Sequence, residues 1–265
     1  MALEQITQSK ARELLTACDM IFAGSTGAYF DYFSGMYSGV RAYLTHGCIA
    51  AVTDIFEQED WMIYPLSESA DLPSAIKAVA EVTVPGAINF NTYRRMPEKY
   101  AAYDAGYVFV RRYAPYHDDD VRTLTEADAD AVRELCTPDL DDTEFRSIGQ
   151  ELAHNILCSY DDPQNYKLLG LFTDGKLAGA LAYTYTFDDA GNDMHGIVIS
   201  ELFVKREYRR RGYAERLVRS LCAVREDVVY VYPCISYNTA TIKNAQKCGF
   251  EFLSAGLYIM PDDIN

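Results

Sequence analysis

Ile199-Ser-Glu-Leu-Phe-Val204 runs directly into Lys205-Arg-Glu-Tyr-Arg-Arg-Arg-Gly-Tyr-Ala214 and a helical run to Arg225. The first six residues read as an apolar strand carrying one carboxylate, Glu201. The next ten form a basic turn with a single glycine, and a helix is expected from about Tyr213. A tight turn between strand and helix leaves the first helical N–H groups without partners, and the helix dipole adds partial positive charge there. Arg209, Arg210 and Arg211 add formal charge, Gly212 admits ligand oxygens close to the backbone, and small Ala214 keeps the first turn open. A diphosphate fits such a place. An arginine-rich turn alone is more often a solvated surface, so the flanking stretches carry the decision.

Downstream, Val228-Val-Tyr-Val-Tyr232 reads as a buried strand, followed by the polar Ile235-Ser-Tyr-Asn-Thr-Ala240 and then Lys243-Asn-Ala-Gln-Lys-Cys-Gly-Phe250. Upstream, Val121-Arg-Thr-Leu-Thr-Glu-Ala-Asp-Ala-Asp-Ala131 reads as a short strand entering a helix. In this order the segments resemble the GCN5-related N-acetyltransferases (GNAT). That family's pyrophosphate loop reads Gln/Arg-x-x-Gly-x-Gly/Ala after a strand, here Arg209-x-x-Gly212-x-Ala214. Residues 119–265 carry the likeness.

The resemblance implies an α/β (α+β) fold, with a mixed, mostly antiparallel sheet flanked by helices. It also implies an acetyl group transferred from acetyl-CoA to an amine acceptor, either a small molecule or a peptide. Carried over, the backbone of Leu202, Phe203 and Val204 would hold the pantetheine and acetyl carbonyl. Arg209, Arg210, Arg211, Gly212, Tyr213 and Ala214 would hold the pyrophosphate, and Asn238 would complete the cofactor site. Glu201 stands where many members place a general base, although a Glu that only orients substrate or faces solvent fits the same position. The family's usual tyrosine four residues before the Gly of Gly-Phe is Ala245 here. Tyr258 or Tyr237 would have to protonate the leaving thiolate instead, or water would. The missing tyrosine keeps a rival reading open, an acyl-CoA-binding module without turnover.

Composition bounds the alternatives. A net charge of −15 over 265 residues argues against a nucleic-acid surface, and eight of the 24 Lys and Arg residues lie between Lys205 and Arg225. That concentration suits one polyanionic ligand in an acidic protein. Seven cysteines, odd in number and without a Cys-x-x-Cys pair, argue against a disulfide framework or zinc site. The four histidines are too scattered for a metal motif. No signal-peptide pattern or membrane-length apolar run is present, so a cytoplasmic protein is expected, with a homodimer left open.

The first half reads as mixed α and β. A helix is expected over residues 8–20 and a turn at Phe22–Gly27, since no Gly-Lys-Ser/Thr follows those glycines. Strands are expected at 40–45, 48–53, 61–64, 86–91 and 107–111, with an acidic turn at 57–60 and helices at 74–80 and 97–104. Ile88-Asn-Phe-Asn-Thr92 followed by a helix and Ala105-Gly-Tyr-Val-Phe109 parallels Ile235-Ser-Tyr-Asn-Thr239 followed by a helix and Cys248-Gly-Phe-Glu-Phe252. On that parallel, residues 1–117 would be a smaller, degenerate GNAT-like domain without a phosphate loop, shaping the acceptor site for a catalytic domain at 118–265. Tyr113–Asp120, with Pro115 and three aspartates, is the expected linker. Beyond it, helices are expected at 125–135 and 142–159, and a hairpin at 168–183 turning on Asp174-Gly175.

Overall fold

The computed structural model describes residues 3–16, 39–55, 58–82, 88–92, 104–136, 148–187, 194–234 and 238–259. The chain forms two compact units, one built from residues 1–109, 234–239 and 252–265, the other from 110–233 and 240–251.

The first unit is a sheet in the order β1-β2-β3-β4-β5-β12, where β1 is Glu4–Ile6, β2 Arg41–Thr45, β3 Cys48–Ile55, β4 Gln58–Pro65, β5 Ile88–Thr92 and β12 Glu251–Ile259. All neighbours are antiparallel except β4 and β5. The β2–β3 turn is His46-Gly47, both with positive φ, which is the backbone twist a two-residue hairpin demands. Alternation along β3 buries both faces: Cys48, Ala50 and Val52 pack on helix α2 (Leu72–Ala80), while Ile49 and Ala51 pack with Ala11 and Leu15 of helix α1 (Gln8–Thr16). Asp71 caps α2 by accepting from the Ser74 N–H, and Pro73 sits in its first turn. Gln58–Asp60, expected within an acidic turn over 57–60, instead pair with β3. Asp104, expected to end a helix, instead begins strand β6 (Asp104–Arg112). The turn at 22–27 and the rest of that helix lie outside the described residues.

The second unit orders its strands β11-β10-β9-β8-β7, where β7 is Val121–Thr123, β8 Lys167–Thr173, β9 Lys176–Phe187, β10 Met194–Val204 and β11 Val229–Cys234. The pairings from β7 through β10 are antiparallel, and β10 runs parallel to β11. The β8–β9 hairpin turns on Asp174 and Gly175, both at positive φ, as expected. Helices α3 (Ala129–Cys136) and α4 (Ile148–Asp161) bury Val132, Leu135, Ala153 and Ile156 against Ala180, Ala182 and Phe203 of the sheet. A short 3-10 turn at Glu126–Asp128 precedes α3. Its Asp128 carboxylate accepts from the Thr125 N–H and forms a two-pronged pair with Arg122. Helix α5 (Tyr213–Leu221) packs on β8, β9 and β10. It ends at Leu221, short of the Arg225 expected, because Ala223 and Val224 close tighter three-residue turns onto Ser220 and Leu221. Helix α6 (Thr239–Lys247) is followed by Gly249 at φ 76°. Among the described residues no helix is long and apolar enough to cross a membrane.

Candidate active site

The parallel pairing of β10 with β11 runs from Gly196 opposite Val229 to Val198 opposite Val231 and goes no further. On its other side β10 stays paired with β9 to the end, Val204 opposite Gly179, and Lys205 then donates to the Ala178 carbonyl. The strand therefore leaves one neighbour while staying paired with the other. The close fit of β9 depends on Gly179, where a Cβ would stand 2.9 Å from the Phe203 carbonyl oxygen. Because Lys205 bonds to β9, alternation along the strand turns the backbone groups of Leu202 and Val204 toward the parting edge and those of Phe203 toward β9. The Phe203 side chain, only 1% exposed, is core.

After Val204 the chain makes a 3-10 turn at Arg206–Tyr208, an extended Arg209, a left-handed Arg210 (φ 62°) and a left-handed Gly212 (φ 79°) that directly precedes α5. Alternating handedness of this kind turns successive N–H groups toward one point, and the α5 dipole reinforces them. A Cβ placed on Gly212 would meet no protein atom within 4 Å, so the space beside it is open. That space belongs to a cleft of about 250 Å³ lined by Val204, Tyr208, Arg209, Arg210, Gly212, Tyr213, Ala214 and Glu215, and across from them by Ala240, Lys243, Asn244 and Lys247 of α6. Arg209 is braced by its Nε donating to the Val204 carbonyl at 2.8 Å, and Arg211 lies over the Tyr208 ring. Among the described residues no carboxylate pairs with Arg209, Arg210, Arg211, Lys243 or Lys247. Donor set, handedness and open volume all fit a diphosphate ester.

The basic run is less uniform than its sequence suggests. Lys205 pairs with Glu207, Arg219 with Glu215, Arg225 with Asp227, and Arg216 with Asp118 and Asp120, which leaves Arg206, Arg209, Arg210 and Arg211 as the surplus among the described residues, the middle two lining the cleft. Lys243 and Lys247 were absent from the expected set. Their spacing of four on α6 places both on one face, and that periodicity was the available signal.

Glu201 follows a bulge: Ile199 faces Tyr183 and Glu201 faces Ala182, so Ser200 is the extra residue. Glu201 is half-buried, and its Oε1 accepts a 2.9 Å bond from Asn155 Nδ2 on α4. Burial, opposed by the Asn155 bond and helped by the negative charge of Glu151, leaves the carboxyl raised to about 6. Neither Asn155 nor Glu151 was anticipated. The trace in the sequence is a polar residue on the inward stripe of α4, where Leu152, Ile156 and Ser159 otherwise lie.

Asn238 immediately precedes α6, Tyr258 lies in β12 opposite Asn89 with its side chain outside the described atoms, and Tyr237 lies outside the described residues. Ala245, at the family's usual tyrosine position, is fully buried.

The family model described as Acetyltransferase (GNAT) family matches residues 129–250, the stretch that holds both the cleft and Glu201. The chain carries a GNAT domain. Among solved structures, a GNAT-family acetyltransferase from Colwellia psychrerythraea is 11% identical, with a TM-score of 0.55 over 98% of this chain and 99% of that one. A GCN5-related N-acetyltransferase from Sphaerobacter thermophilus is 13% identical, with a TM-score of 0.48 over 98% and 95% of the two chains. No curated protein matches the sequence. The Colwellia likeness spans both units, so the fold, though not the chemistry, is shared beyond the GNAT domain.

Proposed function

We propose that this protein transfers an acetyl group from acetyl-CoA to an amine, by direct attack, with Glu201 as general base. The observation that carries the reading is the left-handed Gly212 at the N-terminus of α5, opening onto a cleft whose cations have no described carboxylate partner. Arg209, Arg210 and Arg211, with the backbone of Gly212, Tyr213 and Ala214, hold the diphosphate, and Lys243 and Lys247 add charge from the far wall. Leu202 and Val204 offer backbone groups to the acyl arm along the parting edge of β10. Acetyl-CoA supplies the activated acyl thioester, and as the new C–N bond forms its C–S bond breaks, CoA leaving as a thiolate that takes a proton from water. Glu201 removes the proton that an amine carries at neutral pH, directly or through water, and a carboxylate with a midpoint near 6 is charged at pH 7 yet basic enough to accept it. Residues 1–117 shape the acceptor side.

A second reading, an acyl-CoA-binding module without turnover, is favoured by the buried Ala245 where a tyrosine would protonate the thiolate. Calorimetry with CoA, followed by a screen of small amines and peptides with acetyl-CoA and thiol detection, separates the two. Binding with acceptor-dependent thiol release supports transfer, and binding without any release supports the module. Failure to bind CoA removes both.

A further inference from the structure

Glu201 could have been an isolated strand residue; instead one side chain from a different element reaches it. Asn155 lies on α4 and is 46 positions away in sequence, yet its amide nitrogen is 2.9 Å from Glu201 Oε1. The helix is anchored on both sides of it. Ala153 and Ile156 are fully buried against the sheet, and Ser159 is buried one turn on, so the amide is fixed in place rather than found by a mobile chain. We propose that Asn155 is the positioning residue of this site: its amide donates to the Glu201 carboxylate and holds it in one orientation. The inference rests on Glu201 being the base.

The physics is specific in sign. An N–H donor stabilises the charged carboxylate, whereas a neighbouring carboxylate destabilises it. Both influences come from α4, the first from Asn155 and the second from Glu151 one turn earlier. The ionisable groups on the other elements packed against β10 are Lys176, Tyr183 and Tyr185 of β9, Tyr230, Tyr232 and Cys234 of β11, and Tyr213, Glu215, Arg216 and Arg219 of α5. None of them moves Glu201, and His154 beside Asn155 turns its Nε2 to Cys158 at 3.5 Å. Asn155 and Glu151 are therefore opposed controls on one group. The free amide hydrogen and carbonyl of Asn155 remain available to the acceptor, while Oε2 of Glu201 is left to take its proton.

The test uses the full-length chain labelled with carboxyl-carbon-13 glutamate, with the Glu201 resonance assigned by its loss in Glu201→Gln. Asn155→Ala should raise the Glu201 midpoint by about half to one pH unit, and Glu151→Gln should lower it. In kcat/KM profiles on an amine found by screening, the acid limb should move the same way. Asn155→Ala would then lose roughly three- to fivefold at pH 6, with the loss shrinking by pH 8. A Glu201 midpoint unmoved in folded Asn155→Ala overturns the proposal, as does a midpoint unmoved in Glu151→Gln, which tests the same environment should the first variant be poorly folded. A midpoint that shifts while the activity limb stays put overturns Glu201 as base, and with it the catalytic meaning of the contact. That outcome differs from the first because the carbon resonance reports the contact without turnover.

Discussion

Arg216 donates Nε and Nη2 to the two carboxylate oxygens of Asp118, each at 2.6 Å, and its Nη2 also reaches Asp120. The Asp118 side chain is only 6% exposed. This pair ties the segment before β7 to helix α5, whose first turn forms the cleft. Arg216→Ala would leave a buried carboxylate unpaired, and should cost about 2–4 kcal/mol in urea unfolding at pH 7. Arg216 holds Asp118 below the ordinary carboxylate range. A group whose folded midpoint is depressed stabilises the protein above its unfolded midpoint, so the difference between wild type and variant should narrow as pH falls through that lower, folded midpoint. CoA affinity at low denaturant should change little, because Arg216 is committed to aspartates rather than to the cleft. A loss of CoA affinity above tenfold in the folded variant would contradict that assignment.

Gly212 is the position where the turn admits no ordinary side chain. Its φ of 79° is left-handed, which costs a β-branched residue about 1–2 kcal/mol, and the space beside it is open to a ligand. Gly212→Val should therefore weaken CoA binding at least tenfold in calorimetry while lowering the melting temperature only modestly. Unchanged CoA affinity would remove the turn from the binding site.

Much of the fold was legible because its signals are local. His46-Gly47 and Asp174-Gly175 mark hairpins, Pro73 marks a helix start, and Arg209-x-x-Gly212-x-Ala214 marks the strand-to-helix turn. What was not legible depends on contacts distant in sequence. That Arg216 is neutralised by Asp118, 98 positions away, cannot be read from a run of arginines. Nor does Glu201 announce its partner Asn155, since a polar residue on a helix is unremarkable until the helix is placed. The last strand shows the same limit. Residues 255–259 pair with 88–92, so the compact units interleave along the chain, which a single cut at 117/118 has no means of expressing.

That interleaving bears on truncation. A fragment of residues 119–265 lacks β5, the partner of β12, and also Asp118, the partner of Arg216. Exposed strand edges associate, and Arg216 would keep only Asp120. The fragment should elute as aggregate in size-exclusion chromatography, and a fragment beginning at residue 110 should be more stable because Asp118 is restored. A monomeric 119–265 fragment as stable and active as the whole chain would show that the first half contributes neither stability nor acceptor shape.

Ionising Glu201 costs stability. Its midpoint in the folded chain is about 6, against an ordinary 4.5, so the folded state holds the proton more tightly. A raised folded midpoint means stability is fully present below pH 4.5 and falls as pH rises through about 6, by roughly 1–2 kcal/mol. Glu201→Gln cannot ionise and can still accept from Asn155. Its melting temperature should match wild type at pH 4.5 and exceed it by a few degrees at pH 7.5. Equal melting temperatures at both pH values would mean that Glu201 is not held in the environment described.

The same variant tests the chemistry, with the opposite sign. An amine acceptor is mostly protonated at neutral pH and must lose that proton before it attacks an acyl carbon. A carboxylate placed at the parting of β10 and β11, fixed by Asn155 and charged above about pH 6, can accept it. General base assistance typically contributes roughly 10²- to 10⁴-fold. Glu201→Gln should thus keep CoA affinity, since the cleft of Arg209, Arg210, Gly212 and Lys243 is untouched, yet lose turnover by about that factor. Wild type should show an acid limb near pH 6 in kcat/KM, and the variant should lack it, with its residual rate rising only as free amine becomes available at alkaline pH. Stability gained and turnover lost in one substitution is the pattern expected of a carboxylate held charged for function. If turnover survives in full from pH 6 to 9 on an amine that wild type accepts, proton removal does not run through Glu201, and positioning of the two substrates is left as the main source of rate.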